Sequence, residues 1–494
     1  MGNNAIIGPD GFATTEETEM AEELIAVVKR DCPTCELVAP VLAQLKASGD
    51  LVVLSQDDPA FPAEVDGVLD DRSLDRSYAL GIEIVPTLIR MDGEREIGRQ
   101  IGWHRGDWEQ FTGVAGLGPG LPDWGAGCGA INAEPAVLEQ LKIRFGDTGI
   151  QSRRVELGAS EDVAEAMFER GWSDGLPVVP PTEERVLRML AGTSEEPSTV
   201  LGLCPPNLVE LTVEKVAVNA VMAGCKPEYM PVVLAAMRAT LADEFGLHGV
   251  LATTMYVAPV LVVNGPVRQR IGMNARGNAL GQGNRANATI GRAVQLIVRN
   301  VGGGLPQGVD RACLGNPGKY TYCFAEDEEG SYWESLAEEH GFGANQSTVT
   351  AFAGYGLQGV VDQKARDPDA LCRSFAASLR ACHNVKLAPA GDVILVVCPE
   401  HERTFRNAGW SKQQLKERLY ALSEIPGEEL VAGVGGIAEG IPASGAGRTH
   451  NKFREGGLMV VRAGGGAGMF SAIIGGWLAS GPVGSSPVTV EVKN

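Results

Sequence analysis

Two cysteines of this 494-residue chain, Cys32 and Cys35, are separated by only two residues, whereas the other eight are scattered. They stand in the sequence Cys-Pro-Thr-Cys, after an apolar run at Leu24–Val28 and before a helical pattern. This order places Cys32 at a helix N-terminus, where the partial positive charge of the backbone lowers the pKa of a thiol. The spacing therefore predicts a redox pair, with Cys32 as the attacking thiolate and Cys35 as the resolving thiol.

The alternative for this pair is a zinc site or a purely structural disulfide. A zinc site needs two further ligands in the same domain, and His104 is the only histidine before Cys128. We therefore favour redox chemistry and expect neither a metal nor a cofactor. The scattered cysteines are expected to be reduced core thiols, and each lone histidine, including His401, to be structural.

The residues around the pair follow the pattern of a small α/β domain. Leu51–Leu54 indicates a strand, Asp71–Ala79 a helix, and Asp92-Gly93 a hairpin turn between two further strands. Gly106–Phe111 starts a closing helix. These elements predict a first domain over residues 1–115.

The first domain resembles thioredoxin. The resemblance lies in Cys-Pro-Thr-Cys-Glu-Leu-Val-Ala-Pro-Val-Leu, which includes a proline at Pro40, and in Val-Pro-Thr at residues 85–87. It implies a sheet of four to five strands flanked by helices, with Cys32 and Cys35 as the redox pair. It also implies that Pro86 contacts the backbone of the substrate.

Two positions depart from the thioredoxin pattern. Asp31 precedes the first cysteine, where thioredoxin has a tryptophan, and Ala26 stands where the family has a buried carboxylate. Both differences concern proton transfer during thiol exchange, so that step is expected to differ from the family's. Pro33-Thr34 between the cysteines is expected to shift the redox potential.

The remainder of the chain divides into a linker and a large domain. Residues 116–135 are rich in glycine and proline, which predicts a linker with Cys128 as an exposed, accidental thiol rather than a relay. Residues 136–494 alternate strand and helix patterns, which predicts a large α/β domain, either single or divided into two sub-lobes. The glycines at 464–468 are predicted to lead from a strand into an apolar helix.

A cationic stripe marks the predicted helix Ala286–Val301. Arg285, Arg292 and Arg299 are seven residues apart and share one helical face. With Asn284 and Asn287 near the helix start, they could hold a carboxylate or a phosphate. The alternative is a solvated face whose arginines pair with the abundant acidic residues.

Two further residues complete the candidate site of the large domain. Cys225 lies between two helical patterns and beside Lys226, which favours a thiolate and a role as electron acceptor. Lys319 stands in the turn Asn-Pro-Gly-Lys, upstream of Glu326. We include it among the candidate substrate contacts.

The large domain is also similar to a little-characterised group of large proteins. The similarity lies in the segment 171–182, in the stretch AGCKPEYMPVVLAA and in Gly-Trp-Ser-Lys at residues 409–412. Members of that group are encoded beside small proteins with a selenocysteine-Gly-Ser-Cys motif. The similarity implies a redox setting, with such a selenoprotein or a thioredoxin reductase as a partner.

Composition excludes several classes of function. The formal net charge of −20 repels phosphate backbones and anionic lipids, so nucleic acid and membrane partners are not expected. Hydrophobic residues form 44% of the chain, but their runs are shorter than the ~20 residues that span a bilayer. With no secretory signal at the start, we expect a cytoplasmic protein.

These observations lead to one main hypothesis and two alternatives. The main hypothesis is an enzyme, an oxidoreductase or reductive lyase, in which the first domain delivers electrons to the large domain. The substrate is expected to be a small anionic organic molecule. The first alternative is a non-redox lyase or hydrolase with a regulatory thioredoxin module. The second is a thioredoxin-like adaptor that docks a partner protein.

Overall fold

The computed structural model describes residues 22–93, 95–145, 149–155, 157 and 161–493. The chain divides into two compact units, with the boundary between Thr148 and Gly149. Helices and strands mix in both units, and the strands form several separate sheets. The expected α/β class is confirmed in this general form.

The first unit is built on a five-stranded sheet of order β3-β2-β1-β5-β6. Its strands are β1 (Glu22–Val28), β2 (Leu51–Ser55), β3 (Leu69–Asp70), β4 (Ile84–Val85), β5 (Thr87–Asp92), β6 (Arg95–Ile101), β7 (Trp103–His104), β8 (Trp124–Gly125) and β9 (Cys128–Gly129). Its helices are α1 (Pro33–Ser48), α2 (Asp75–Ala79), α3 (Arg105–Thr112) and α4 (Pro135–Phe145).

The central strand and the first helix follow directly from the sequence. β1 lies between β2, to which it is parallel, and β5, to which it is antiparallel, and its residues 25–28 are all buried. α1 begins at Pro33, whose fixed φ suits the first helical position. Val38, Val41 and Leu45 are buried along one stripe of α1, as expected for a helix that covers a sheet.

The segment predicted as a linker belongs to the first unit. Within residues 116–135, β8 pairs with β7 and β9 pairs with β4. Further along, the buried side chain of Asn132 donates to the carbonyl of Ile82 at 2.6 Å and accepts from Gln56 at 2.7 Å. The first unit thus extends past residue 115. Its glycines serve close packing here, because a Cβ on Gly127 would lie 2.2 Å from the side chain of Ile84.

The second unit holds a seven-stranded sheet and most of the helices. Its strands are β10 (Val200–Cys204), β11 (Val209–Thr212), β12 (Ala258–Asn264), β13 (Cys323–Ala325), β14 (Thr348–Val361), β15 (Val393–Val397), β16 (Glu424–Pro426), β17 (Thr449–Asn451), β18 (Leu458–Arg462), β19 (Phe470–Gly476) and β20 (Val488–Glu491). Its helices are α5 (Val163–Glu169), α6 (Glu183–Leu190), α7 (Val213–Ala223), α8 (Met230–Leu241), α9 (Leu247–Ala252), α10 (Val267–Arg270), α11 (Arg285–Asn300), α12 (Leu336–Glu339), α13 (Pro368–Arg380), α14 (Pro399–Asn407), α15 (Lys412–Leu422) and α16 (Gly427–Leu430).

The large sheet of this unit is organised by the long strand β14. The first half of β14 pairs with β12 and β20, and its second half pairs with β19. The register shifts between Gly354 and Leu357, where one strand passes from one half of the sheet to the other. The full order is β13-β12-β14-β19-β15-β18, with β20 beside β14.

The two halves of the sheet contribute to one shared apolar cluster on one face and to separate clusters on the other. Val260 and Val262 of β12 share one apolar cluster with Ile394 and Val396 of β15. The alternate residues of β12 pack with α7, α8 and α11, and those of β15 with α13, α14 and α15. Because successive strand residues point to opposite faces, the described part of this unit has a helical layer outside each half-sheet.

One predicted helix of the second unit is a strand. The glycines at 464–468 lead into β19, which is inserted between β14 and β15, rather than into an apolar helix. This segment pairs with a strand on each side, and the sequence alone does not show these pairings. In the described residues, no helix combines the length and the apolar character that a membrane crossing requires.

Candidate redox site

The sulfur of Cys32 lies at the N-terminus of α1, as the sequence predicts. Cys32 is the N-cap residue, and its Sγ accepts a hydrogen bond from the backbone N–H of Cys35 at 3.3 Å. The same sulfur lies 3.6 Å from the carbonyl oxygen of Val85. A hydrogen bond from the side chain of Cys35 lowers the pKa of Cys32 to about 5, although burial opposes its ionisation. Cys32 is therefore a thiolate at neutral pH.

Cys35 has the opposite ionisation. It lies one turn further along α1 and is fully buried. Burial raises the pKa of its thiol far above the ordinary value, and the neighbouring Cys32 sulfur raises it further. Cys35 therefore keeps its proton and donates it in a hydrogen bond to the Cys32 thiolate. The pair thus contains one nucleophile and one protonated thiol in direct contact.

Pro86 lies beside this pair in a buried loop. The Val85–Pro86 peptide bond is cis, and the carbonyl of Pro86 accepts from the N–H of Gly102 at 2.8 Å. The hydroxyl of Thr87 donates to the carbonyl of Ile84 at 2.6 Å and closes the turn. The loop therefore holds the carbonyl of Val85 toward the Cys32 sulfur.

The two departures from the thioredoxin pattern are visible in the surroundings of the pair. Ala26 is buried in β1, opposite Val53 on one side and Leu88 on the other. No carboxylate is present at this position to accept the proton of Cys35. Asp31 is exposed, and its backbone N–H donates to the carboxylate of Asp57 at 3.0 Å.

Cys128 is the site residue that sequence reasoning missed. It lies in β9, directly opposite Val85 of β4, and its thiol is in hydrogen-bonding contact with the sulfur of Cys32. That contact raises the pKa of Cys128, and burial contributes to the same shift. Most of the first unit separates Cys128 from Cys32 in the sequence, so no local spacing could have revealed the contact.

In the second unit, the predicted amides organise the start of α11. Asn284 is its N-cap and accepts from the N–H of Asn287 at 3.0 Å. The buried side chain of Asn287 bonds to the backbone of Asn274 through both of its polar atoms. Arg285 is exposed, and its Nε donates to the carbonyl of Gly224 at 2.9 Å. Asn284 and Asn287 thus serve local structure.

Arg292 and Lys319 have carboxylate partners within the protein. The guanidinium of Arg292 pairs with both oxygens of Asp174, at 2.9 and 2.7 Å. Lys319 pairs with Asp310 at 2.9 Å. The structure places Lys319 at one cavity, of about 540 Å³, and Arg285 at another. The predicted contacts are therefore not gathered around one anion.

The cavity beside Arg285 is a cationic pocket that also contains Cys225. It has a volume of about 200 Å³, and its charged lining residues are Arg185, Arg188, Lys226 and Arg285. Cys225 forms part of its wall, with its thiol donating to the carbonyl of Thr289 at 3.4 Å. Burial raises the pKa of this thiol to about 12. The expectation of a Cys225 thiolate is therefore wrong, while the pocket itself suits a small anion.

A cysteine of the second unit, Cys398, also has a lowered pKa. Cys398 precedes α14 and forms a hydrogen bond with His401, whose ring nitrogens contact the hydroxyl of Ser471 and the carbonyl of Asp362. Burial opposes ionisation of both groups, but the hydrogen bond lowers the pKa of Cys398 and raises the pKa of His401. Cys398 is only 3% exposed and His401 only 1% exposed. The sequence analysis took each histidine to be structural and did not predict this contact.

The described residues provide no metal site, and comparison with known proteins gives no match. Among the residues that the structure describes, no group of three or more His, Cys, Asp or Glu side chains is arranged to hold a metal ion. The sequence matches no protein-family model and no curated protein, and the fold matches no solved structure.

Proposed function

We propose that this protein is a thiol–disulfide oxidoreductase and that its first unit is a thioredoxin-like domain. The observation that carries the proposal is the sulfur of Cys32 at the N-cap of a 16-residue helix, in contact with the protonated Cys35. The order β3-β2-β1-β5-β6, with α1 directly after the central strand, supports the same proposal. The substrate backbone would bind at the turn of Pro86, next to Cys32, in place of β9, which pairs with β4 there.

The proposed reaction reduces a disulfide to two thiols. The Cys32 thiolate attacks one substrate sulfur, a mixed disulfide forms, and the first substrate thiolate leaves. Cys35 then loses its proton and attacks the Cys32 sulfur, which releases the second substrate thiolate. The protein ends with a Cys32–Cys35 disulfide, and the substrate has gained two electrons and takes up two protons.

The second unit is proposed to bind a small anionic organic molecule. The cationic pocket supports this part, because four positive side chains line it in a protein whose net charge is −20. Guanidinium groups bind carboxylates and phosphates with paired hydrogen bonds. Since Cys225 remains protonated, we assign it to the wall of the pocket and not to electron transfer.

The redox half of the proposal is tested on the full chain. The reduced protein is mixed with a small symmetrical disulfide, and the released thiol is counted against the disulfide consumed. We expect two thiols for each disulfide, and at most one from Cys32→Ser, in which a single exposed thiol such as Cys313 can only form a mixed disulfide. Cys313→Ser is the matched control, because Cys313 is a free and exposed cysteine of the second unit. Equal thiol release by wild type and Cys32→Ser would contradict the proposal.

The anion half is tested separately by thermal unfolding of the full chain with inorganic phosphate and with a four-carbon dicarboxylate. An anion that binds only the folded pocket raises the unfolding temperature. We expect Arg285→Gln to remove that increase. An increase unchanged by this substitution would place the anion elsewhere.

A further inference from the structure

The redox site is covered by residues 124–130, which we name the strap. At one end of the strap, β8 pairs with β7. At the other end, β9 pairs with β4, and the N–H of Ala130 donates to the carbonyl of Glu83 at 2.9 Å. Beneath the strap Cys32 is only 1% exposed, whereas Cys128 of the strap is half-buried.

The strap contacts the redox motif on both sides of Cys32. The hydroxyl of Thr34, which lies between the two motif cysteines, donates to the carbonyl of Ala126. On the other side, Val85 pairs with Cys128 and also directs its carbonyl toward the Cys32 sulfur. Residues directly opposite in an antiparallel pair are close neighbours. The pairing of β9 with β4 therefore places the Cys128 thiol in contact with the Cys32 sulfur.

Two glycines allow the strap to lie this close. A Cβ on Gly125 would lie 2.9 Å from the side chain of Thr34, and one on Gly127 would lie 3.2 Å from the carbonyl of Val85. Real Cβ atoms essentially never show contacts as short as the first of these distances, and the second is tighter than most of their contacts. The strap is therefore shaped to place an extended, cysteine-bearing segment along β4, next to the nucleophile.

We infer that Cys128 is a third redox cysteine, which resolves mixed disulfides on Cys32 and leaves a Cys32–Cys128 disulfide that fastens the strap over the site. The inference rests on the proposed thiol–disulfide function. It adds a second resolving thiol that competes with Cys35. It also gives external reductants a route to the oxidised site, since they meet the half-buried Cys128 rather than the enclosed Cys32.

The step balances without a further reactant. A small disulfide oxidises the protein when the Cys32 thiolate attacks it, forming a mixed disulfide and one free thiolate. Cys128 then loses its proton to water, and its thiolate attacks the Cys32 sulfur and expels the second thiolate. The small disulfide gains two electrons, and the two protein cysteines lose them. An external dithiol restores the two thiols: one of its thiolates attacks Cys128 and expels the Cys32 thiolate, and its second thiol then releases Cys128 and closes the dithiol's own disulfide.

Once Cys32 is in a mixed disulfide, electrostatics favour the ionisation of Cys128 over that of Cys35. The contact with Cys32 is the largest cause of the raised pKa of Cys128. That cause ends when the Cys32 sulfur becomes neutral in a mixed disulfide. For Cys35 the largest cause is burial, which persists. The nearby charge of Lys29 also lowers the pKa of Cys128.

The test uses the full chain with Cys35→Ser, which leaves Cys128 as the one thiol in contact with Cys32 among the described residues. The reduced variant receives one equivalent of a small symmetrical disulfide, is quenched with acid and an alkylating reagent, and is mapped by mass spectrometry. We expect a Cys32–Cys128 linked peptide in at least about tenfold excess over the mixed disulfide, because the intramolecular thiol has a high effective concentration. Cys35→Ser/Cys313→Ser is the matched control and should give the same result.

Each other outcome has a defined meaning. Cys35→Ser/Cys128→Ser should retain the mixed disulfide on Cys32. If Cys35→Ser retains it as well, with Cys128 alkylated, the inference is overturned while the proposed function stands. If Cys32 reacts in no variant, the proposed function fails. In wild type, a linked Cys32–Cys128 fraction should also appear at early times. This measurement does not depend on whether the variants fold correctly.

Discussion

Cys32 of the first unit and Cys225 of the second were both expected to be thiolates because a helix follows each of them. Cys32 is the N-cap itself, and its sulfur accepts the N–H of Cys35. Cys225 lies several residues before α8, and its thiol instead donates to the carbonyl of Thr289. A hydrogen bond from the Cys35 side chain, helped by the backbone N–H of Cys35, lowers the pKa of Cys32 to about 5, whereas burial raises that of Cys225 to about 12.

The comparison teaches that nearness to a helix in sequence does not ionise a thiol. The sulfur has to receive hydrogen bonds, and burial without donors favours the protonated form. Cys398 supports this conclusion from a third position. Burial raises the pKa of Cys398, but hydrogen bonds from the side chain and from the backbone N–H of His401 lower it overall.

The largest expected difference between the two cysteines is in turnover. Cys32→Ser should lower disulfide reduction at least ~10³-fold, because the nucleophile is lost. Cys225→Ser should keep the rate within about twofold, since substitutions away from the reacting groups have small effects. The rates are measured with a small disulfide and an excess of dithiol. If Cys225→Ser lowered the rate as much as Cys32→Ser does, Cys225 would take part in the reaction, contrary to the proposal.

A second difference separates the arginines of the second unit. Arg292→Gln leaves the carboxylate of Asp174, only 12% exposed, without its partner, and should cost about 3 kcal/mol of unfolding free energy. Arg285→Gln, at an exposed position, should cost no more than ~0.5 kcal/mol. Urea unfolding followed by circular dichroism gives both values. Equal costs would mean that Arg285 is as structural as Arg292.

A smaller effect is expected from adding one methyl group to the strap. Gly127→Ala places a Cβ 2.2 Å from the side chain of Ile84, which should loosen the strap by about 1–3 kcal/mol and so expose Cys32 roughly tenfold more often. Gly129→Ala is the matched control, because its Cβ meets nothing within 4 Å. The rate at which a bulky alkylating reagent modifies Cys32 measures the difference. Similar rates in both variants would show that the strap does not limit access.

The sequence predicted the parts of the site that depend on neighbours along the chain. The position of Cys32 at the start of α1 follows from an apolar strand, a proline at the first helical turn and the spacing to Cys35. The contacts of Cys128 with Cys32 and of Arg292 with Asp174 join distant segments. Single-sequence patterns contain no information on such pairs.

The same limit explains the errors in the fold. The glycine-rich segment 116–135 has the composition of a linker, but its glycines allow close packing on the first unit. The apolar stretch after Gly468 has no period that distinguishes a strand from a helix. Its pairing with β14 on one side and β15 on the other makes it the strand β19.

The central claim, that Cys32 is the ionised nucleophile, is tested most directly by the pH dependence of its alkylation in the reduced full chain. The modified peptides are quantified by mass spectrometry between pH 4 and 10. Because the thiolate is the reactive form and the pKa of Cys32 is lowered to about 5, its rate should rise as pH rises through about 5 and then stay level. A rate for Cys32 that rises only near pH 9, as for an ordinary thiol, would contradict the claim.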